Sequence, residues 1–202
     1  MGPLPSLEAS MRVRSTQACQ PAPAAPEPAG HPLDLERLFR EYALIVSRWA
    51  ARLGGPTIDV EDAVQEVFIV AHRRLSEFRG EAKVSTWLFR ITQRVAQHQR
   101  RRARWRRWLR GSAVDVGGRL PSLHVDPVET MQRKQAAAQV YGVLDQMSEK
   151  LRTVLILSNF DDMEPAEIAA MTGMNPTTTR VRLHRAREQY RRIAEARGEE
   201  KP

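Results

Sequence analysis

Cysteine is almost absent. Cys19 stands alone among 202 residues, which excludes an internal disulfide and fits a reducing compartment. No apolar run approaches the roughly 20 residues that a membrane span needs, and the N-terminus has no apolar core of the signal-peptide kind. No membrane insertion is expected, and the cytoplasm is the expected location. Met1-Gly2-Pro3-Leu4-Pro5-Ser6 formally fits a myristoylation pattern, but so loose a pattern recurs by chance. There is no Gly-rich phosphate loop ending in Gly-Lys-Ser/Thr and no Gly-x-Ser-x-Gly. His31, His72, His98, His124 and His184 are scattered, and none pairs with cysteine at metal spacing. No catalytic residue, metal or cofactor is therefore expected. Asp161-Asp162 precedes Pro165, where a turn serves the pair better than catalysis does. Aromatics are only 6%, and strict alternation of Val, Ile and Thr is scarce. Ala, Leu, Glu, Arg and Gln dominate instead, which predicts an all-α chain.

Acid is missing in particular places. The net charge is +8, and its distribution says more than its size. Acids and bases nearly balance from Leu33 to Phe89. From Arg90 to Arg110 there are nine arginines and no acid. From Asn175 to Arg192 six arginines face a single Glu188. Two separate basic blocks suggest a polyanion touched twice.

Residues 1–32, with Pro21, Pro23, Pro26 and Pro28 close together, read as a disordered tail. Apolar spacing predicts a helix over 33–53, with Asp34 as N-cap and Gly54-Gly55-Pro56 as its end. A second helix is predicted from Val60 to about Phe78, capped by Asp59 with Asp62 in the reciprocal position. Its buried stripe is Val60, Ala63, Val64, Val67, Phe68, Ala71, Leu75 and Phe78. Its outward face carries Asp62, Gln65, Glu66 and Ile69. Arg79-Gly80-Glu81 breaks the chain. A third helix starts near Ser85, buries Val84, Leu88, Ile91 and Val95, and runs into the arginine block. Residues 111–130, with Gly111, Gly117, Gly118, Pro121 and Pro127, read as a flexible linker. Helices follow over 131–145, 148–159, 165–171 and 176–197, with Gly198 as the last C-cap. The fold expected is two small helical domains, 33–110 and 131–198.

The C-terminal stretch has a helix-turn-helix pattern. Pro165 opens a short helix, Gly173 permits a left-handed turn, and Asn175 caps a helix whose first residue is Pro176. In that helix Thr179, Leu183, Ala186, Tyr190 and Ile193 form the packing face. Thr178, Arg182 and Arg185 share a neighbouring exposed face, with Arg180 and Arg187 flanking it. This suits a helix that enters the major groove, where arginine binds guanine or phosphate. In the earlier basic block, arginines near Trp87, Trp105 and Trp108 suit phosphates with stacking surfaces for unpaired bases. Taken alone, the Asp62 face reads as a solvated helix surface.

Three segments go further. Asp59-Val-Glu-Asp-Ala-Val-Gln-Glu-Val-Phe-Ile-Val70 resembles the polymerase-binding helix of extracytoplasmic-function sigma factors. Arg79-Gly-Glu-Ala-Lys-Val-Ser-Thr-Trp-Leu-Phe-Arg-Ile91 resembles that family's promoter-melting and minus-ten segment. Val143-Leu-Asp-Gln-Met-Ser-Glu-Lys-Leu-Arg152, with Glu167-Ile-Ala-Ala170 and Arg182-Leu-His-Arg-Ala-Arg187, resembles its minus-thirty-five module. The resemblance covers about 33–105 and 135–193 in the family order. It implies sigma region 2 over 33–110, sigma region 4 over 131–198, and a protein that brings core RNA polymerase to promoter DNA. By the same resemblance, Asp62, Gln65, Glu66 and Ile69 bind the polymerase, reversing the reading from the residues alone. Arg79, Lys83 and Ser85 belong to a loop that holds a flipped minus-ten base, and Trp87, Arg90 and Arg94 line the separated strand. Thr178, Arg180, Arg182, Arg185 and Arg187 serve the minus-thirty-five element. An anti-sigma factor is an implied partner. The chain departs from the family at Arg94 (usually Asn), His98 (often Asp), Val84 (often aromatic), Thr177 (often Gly) and Thr179 (often Val). The minus-ten readout is thus expected to differ from the family norm. A helix-turn-helix regulator working without polymerase is the alternative, but it has no use for the Asp62 face or the Trp87 loop. A DNA recombinase needs a catalytic Ser, Tyr or carboxylate cluster, which is not found.

Overall fold

The computed structural model describes residues 34–109 and 127–199, with the side chains of 127–134 and of 199 outside the description. The expected tail over 1–32 and the expected linker up to 126 lie outside the described residues; its last four positions, 127–130, are instead the first turn of a helix that opens on Pro127, where the missing amide costs no helical hydrogen bond. Within them every regular element is helical: α1 Leu35–Gly54, α2 Val60–Arg74, α3 Val84–Leu109, α4 Pro127–Leu144, α5 Glu149–Phe160, α6 Pro165–Thr172 and α7 Pro176–Glu199. Short 3-10 turns follow α1 (Gly55–Thr57) and α2 (Leu75–Glu77). The helices group into two compact units, α1–α3 and α4–α7. No described helix is long and apolar enough to cross a membrane.

In the first unit α1 packs against α2 and α3, and α2 against α3. Leu38, Val46, Trp49, Ala63, Val67, Phe68, Ala71, Leu88, Phe89 and Val95 form its core. Trp49 meets Phe89 edge to face at 5.3 Å, a geometry that aromatic quadrupoles favour. α1 stops at Gly55, whose φ of 69° a side chain would resist. A Cβ on Gly54 would overlap the Ile58 side chain. Asp34 occupies the N-cap in extended conformation, but its side chain makes no cap hydrogen bond. Asp59 does cap α2, accepting from the amides of Glu61 at 2.9 Å and Asp62 at 3.1 Å. α2 ends at Arg74 and does not continue to Phe78. Phe78 is extended (φ −74°, ψ 106°), and its ring lies 5.0 Å from Trp87. A helix continued through Phe78 would not hold that extended backbone.

In the second unit α7 packs on α5, α6 and α4. Val143, Leu144, Val154, Leu155, Ile156, Leu157, Ile168, Leu183 and Ala186 form the core. Arg152 is buried among them at 1% exposure, paired with Asp145 at 3.0 Å and placed 5.5 Å from the centre of the Tyr141 ring. Burial raises the pKa of Tyr190 above its ordinary 10.0. The fold therefore favours the neutral phenol, and its contribution is full below that pH and is lost as pH rises from there through the raised folded value. The reciprocal capping box forms at α6, not α2. Glu164 and Glu167 cap one another there, and the Glu164 amide donates to Glu167 Oε2 at 2.9 Å. Gly198 lies inside α7 and does not cap it. The preceding Arg197 reaches across to the Gly142 carbonyl at 3.1 Å and ties the last turn to α4. The absence of a side chain at Gly142 leaves room for that guanidinium, since a Cβ there would sit 3.0 Å from Arg197 Nη2.

Candidate functional site

Three faces carry the residues singled out in the sequence. On α2, Asp62, Gln65 and Ile69 are exposed, Ile69 by 51%. An apolar side chain this open, rimmed by polar ones, suits contact with another protein. Glu66 differs from its neighbours. It is half-buried, and its Oε2 accepts from Gln99 Nε2 of α3 at 2.9 Å, while His98 Nδ1 lies 4.0 Å from Oε1. Residue 66 follows 62 by four positions, on the side of α2 that turns toward α3, so part of its bonding capacity is already used. Phe39 of α1 is half exposed and packs edge-on to Phe68 at 4.9 Å, leaving further apolar surface beside α2.

The second face begins in the loop before α3. Gly80 has φ +73° and nothing within 4 Å of where a Cβ would stand, so the turn is open on that side. Arg79 and Lys83 are exposed, and Ser85 is half-buried. The Lys83 carbonyl accepts the Trp87 amide at 3.0 Å, which fixes the end of the loop to the helix. Trp87 is half-buried, and its contact with Phe78 leaves only part of the indole for a ligand. Arg90 and Arg94 are exposed one turn apart, on the side opposite the buried Leu88, Phe89, Thr92 and Ala96.

The third face is on α7. Gly173 adopts the left-handed conformation (φ 72°, ψ 26°) that ends α6, and Asn175 Oδ1 accepts the Thr177 amide at 2.8 Å to start α7. Thr179, Leu183, Ala186 and Tyr190 are buried and Ile193 half-buried. Their burial fixes which way every other side chain of α7 points. Thr178, Arg182 and Arg185 share one flank. Arg180 and Arg187 fall about 180° away at 100° per residue, on the opposite flank rather than beside the first three. Arg187 lies within 3.5 Å of Ser158 Oγ on α5. Arg182 is half-buried because its guanidinium contacts the Met174 sulfur in the turn. Between the flanks, directly outward, stand Thr177 and Val181, the latter 45% exposed. Neither was among the expected contacts. The packing face, turned through half a circle, would have found them. Arg185, Thr178 and Val181 together offer a guanidinium, a hydroxyl and an apolar group, the three kinds that read major-groove edges and the thymine methyl.

Each of the two units matches a known family profile. Residues 38–106 match the family profile of Sigma-70 region 2, and residues 137–189 that of Sigma-70, region 4. The ECF RNA polymerase sigma-E factor of Escherichia coli (strain K12) is 32% identical over 158 residues, spanning 75% of this chain and 80% of that protein. The ECF RNA polymerase sigma factor SigE of Mycolicibacterium smegmatis is 31% identical over 157 residues, spanning 77% of this chain and 60% of its own. Two solved structures share the fold at a TM-score of 0.53. One is CnrH in complex with the cytosolic domain of CnrY, at 22% identity over 80% of this chain and 88% of the other. The second is the sigma factor RpoE in complex with the anti-sigma factor NepR from Bartonella quintana, at 19% identity over 80% and 97%.

Proposed function

The chain belongs to the extracytoplasmic-function sigma factors, and we propose that it works as one by holding bacterial core RNA polymerase with α2 and promoter DNA with α3 and α7. The observation that carries this reading is the exposure of separate, chemically distinct faces on the two modules. The α2 face is acidic and apolar, and the α3 and α7 faces are rich in arginine. Asp62, Gln65 and Ile69 contact the polymerase, with Glu66 held back against α3. Arg79, Lys83 and Ser85 shape the pocket for a flipped minus-ten base, and Trp87, Arg90 and Arg94 run beside the strand. Thr178, Arg182 and Arg185 read the minus-thirty-five element, and Arg180 and Arg187 hold phosphates from the other flank. Region 2 extends over 33–110 and region 4 over 131–198. Joining the two modules in one chain lets two weak DNA contacts bind at high effective concentration.

The protein carries out no chemistry itself, and its place of action is the cytoplasm, where the polymerase is. An anti-sigma factor covers one or both modules. Support for that comes from the two structural relatives, each solved with another protein bound and one of those named an anti-sigma factor.

Transcription tests the reading. Core polymerase supplemented with this chain should start transcripts at defined sites on genomic fragments that core polymerase alone ignores. Random initiation in both cases would contradict the proposal. Promoter binding should also weaken steeply with salt. If roughly six arginines meet phosphates, affinity falls with a log–log slope near −5, or about 10³-fold between 50 and 200 mM salt. A flat response measured by anisotropy would mean that the arginine faces stand apart from DNA.

A further inference from the structure

The far end of α3 carries a surface that the proposed polymerase and minus-ten contacts leave unused. The last buried residues of the helix are Arg100 and Ala103. Beyond them Trp105, Trp108 and Leu109 stand 61%, 72% and 62% exposed. Arg101, Arg102, Arg104, Arg106 and Arg107 are exposed around them. The two indole rings lie 5.2 Å apart with their planes inclined by 36°. Charge alone would solvate a helix end, and two large apolar rings in the open are unfavourable unless something covers them.

Their direction says what does. Arg90, Arg94, Arg101, Trp105 and Trp108 are separated by four, seven, four and three residues. At 100° per residue they fall within a sector of about 60° and form a stripe about 27 Å long. No acid occurs between Arg90 and Leu109. The partner must therefore be a polyanion that also offers flat apolar faces. An unpaired nucleic-acid strand supplies both, because its phosphates meet guanidiniums while its bases stack on aromatic rings. A duplex supplies the phosphates but keeps its base faces covered. A membrane surface needs a continuous apolar face, and Arg101 lies in the middle of this one.

We infer that Arg101, Trp105 and Trp108 form a second single-strand DNA site, which continues the Arg90–Arg94 face beyond the minus-ten contacts. Bases stack on the two indoles, and the surrounding arginines hold the phosphates. The inference rests on the reading of α3 as the strand-facing helix. Its test therefore keeps the new site separate from polymerase binding.

The full chain is titrated at low salt with a short oligo(dT) and with a mixed-sequence duplex of the same length, and tryptophan fluorescence is followed. Of the four tryptophans, Trp49 is 3% exposed and Trp87 is half-buried against Phe78, so the quench that W105A/W108A loses reports on Trp105 and Trp108 and the quench that remains reports on Trp87. Oligo(dT) should quench this emission. Anisotropy of labelled oligo(dT) should show affinity falling about tenfold or more in W105A/W108A and largely recovering in W105F/W108F, where phenyl rings still stack. Both side chains are exposed, so helicity by circular dichroism should be unchanged. Undiminished oligo(dT) binding by the alanine pair would overturn the site. So would an equal dependence on the tryptophans for duplex, or an emission change with phosphatidylglycerol–phosphatidylcholine vesicles and none with oligo(dT). Core-polymerase binding is measured in parallel, and its loss in W105A/W108A would overturn the site by giving the face to polymerase. Failure of the intact chain to bind polymerase, with tryptophan-dependent oligo(dT) binding retained, would sink the sigma reading and leave this site standing.

Discussion

Arg152→Ala should destabilise the second unit by about 2–5 kcal/mol, mostly through the cavity that a large buried side chain leaves. Arg152 is 1% exposed, bonded to Asp145 and set over the Tyr141 ring. Its removal leaves a cavity between α5 and the end of α4 and takes the cation from Asp145. A domain this small has only about 5–15 kcal/mol in total, so most of its margin would go. Arg152→Met keeps the volume and should cost less, since Asp145 is 28% exposed on its side chain and can turn to water. All four tryptophans lie in the first unit or the helix that ends it. In urea, circular dichroism of Arg152→Ala should therefore show an early loss of helix while the tryptophan midpoint stays in place. Coincident early transitions would mean that the two units unfold as one.

Arg182→Ala with Arg185→Ala should weaken promoter binding roughly 30- to 150-fold, or about 2–3 kcal/mol for two base-edge or phosphate contacts. Polymerase binding should be unchanged, because α7 is in the other unit from α2. The two arginines should not contribute equally. Arg185 is free to extend, whereas Arg182 is held against Met174 and is half-buried. Arg185→Ala alone should account for most of the loss. Gel-shift titration with a minus-thirty-five duplex separates the variants, and loss of polymerase and DNA binding together would count against the division of labour between modules.

What was legible in the sequence was local. Asn175, Pro176 and Gly173 announce their turn within four residues, and a 3.6-residue period fixed the buried side of α7 from Thr179 to Tyr190. The same arithmetic aligned Asp62, Gln65 and Ile69. What was not legible depends on chain brought together from a distance. Glu66 reads as one more outward carboxylate until α3 presents Gln99, 33 positions later. The burial of Arg152 is not visible in the sequence, because it depends on Tyr141 of α4 and on Asp145 just beyond it. Gly198 reads as a cap until Arg197 anchors the last turn to Gly142, 55 positions earlier. The tilt of Phe78 onto Trp87, which ends α2 early, belongs to the same class. The placement of Arg180 and Arg187 on the opposite flank, and of Thr177 and Val181 directly outward, follows from local helix geometry alone.

The most direct test of the central claim is binding of the full chain to purified bacterial core RNA polymerase, beside a variant with Asp62→Ala and Ile69→Ala. These two residues are preferred to Glu66, whose loss would also remove its bond to Gln99. The expected result is tight binding by the parent and a loss of about 100-fold or more in the double variant, as when two central interface residues are truncated. Helical content should stay the same, because both side chains are exposed. Absence of binding by the parent, with DNA binding retained, would contradict the claim and leave a helix-turn-helix protein that acts on DNA alone.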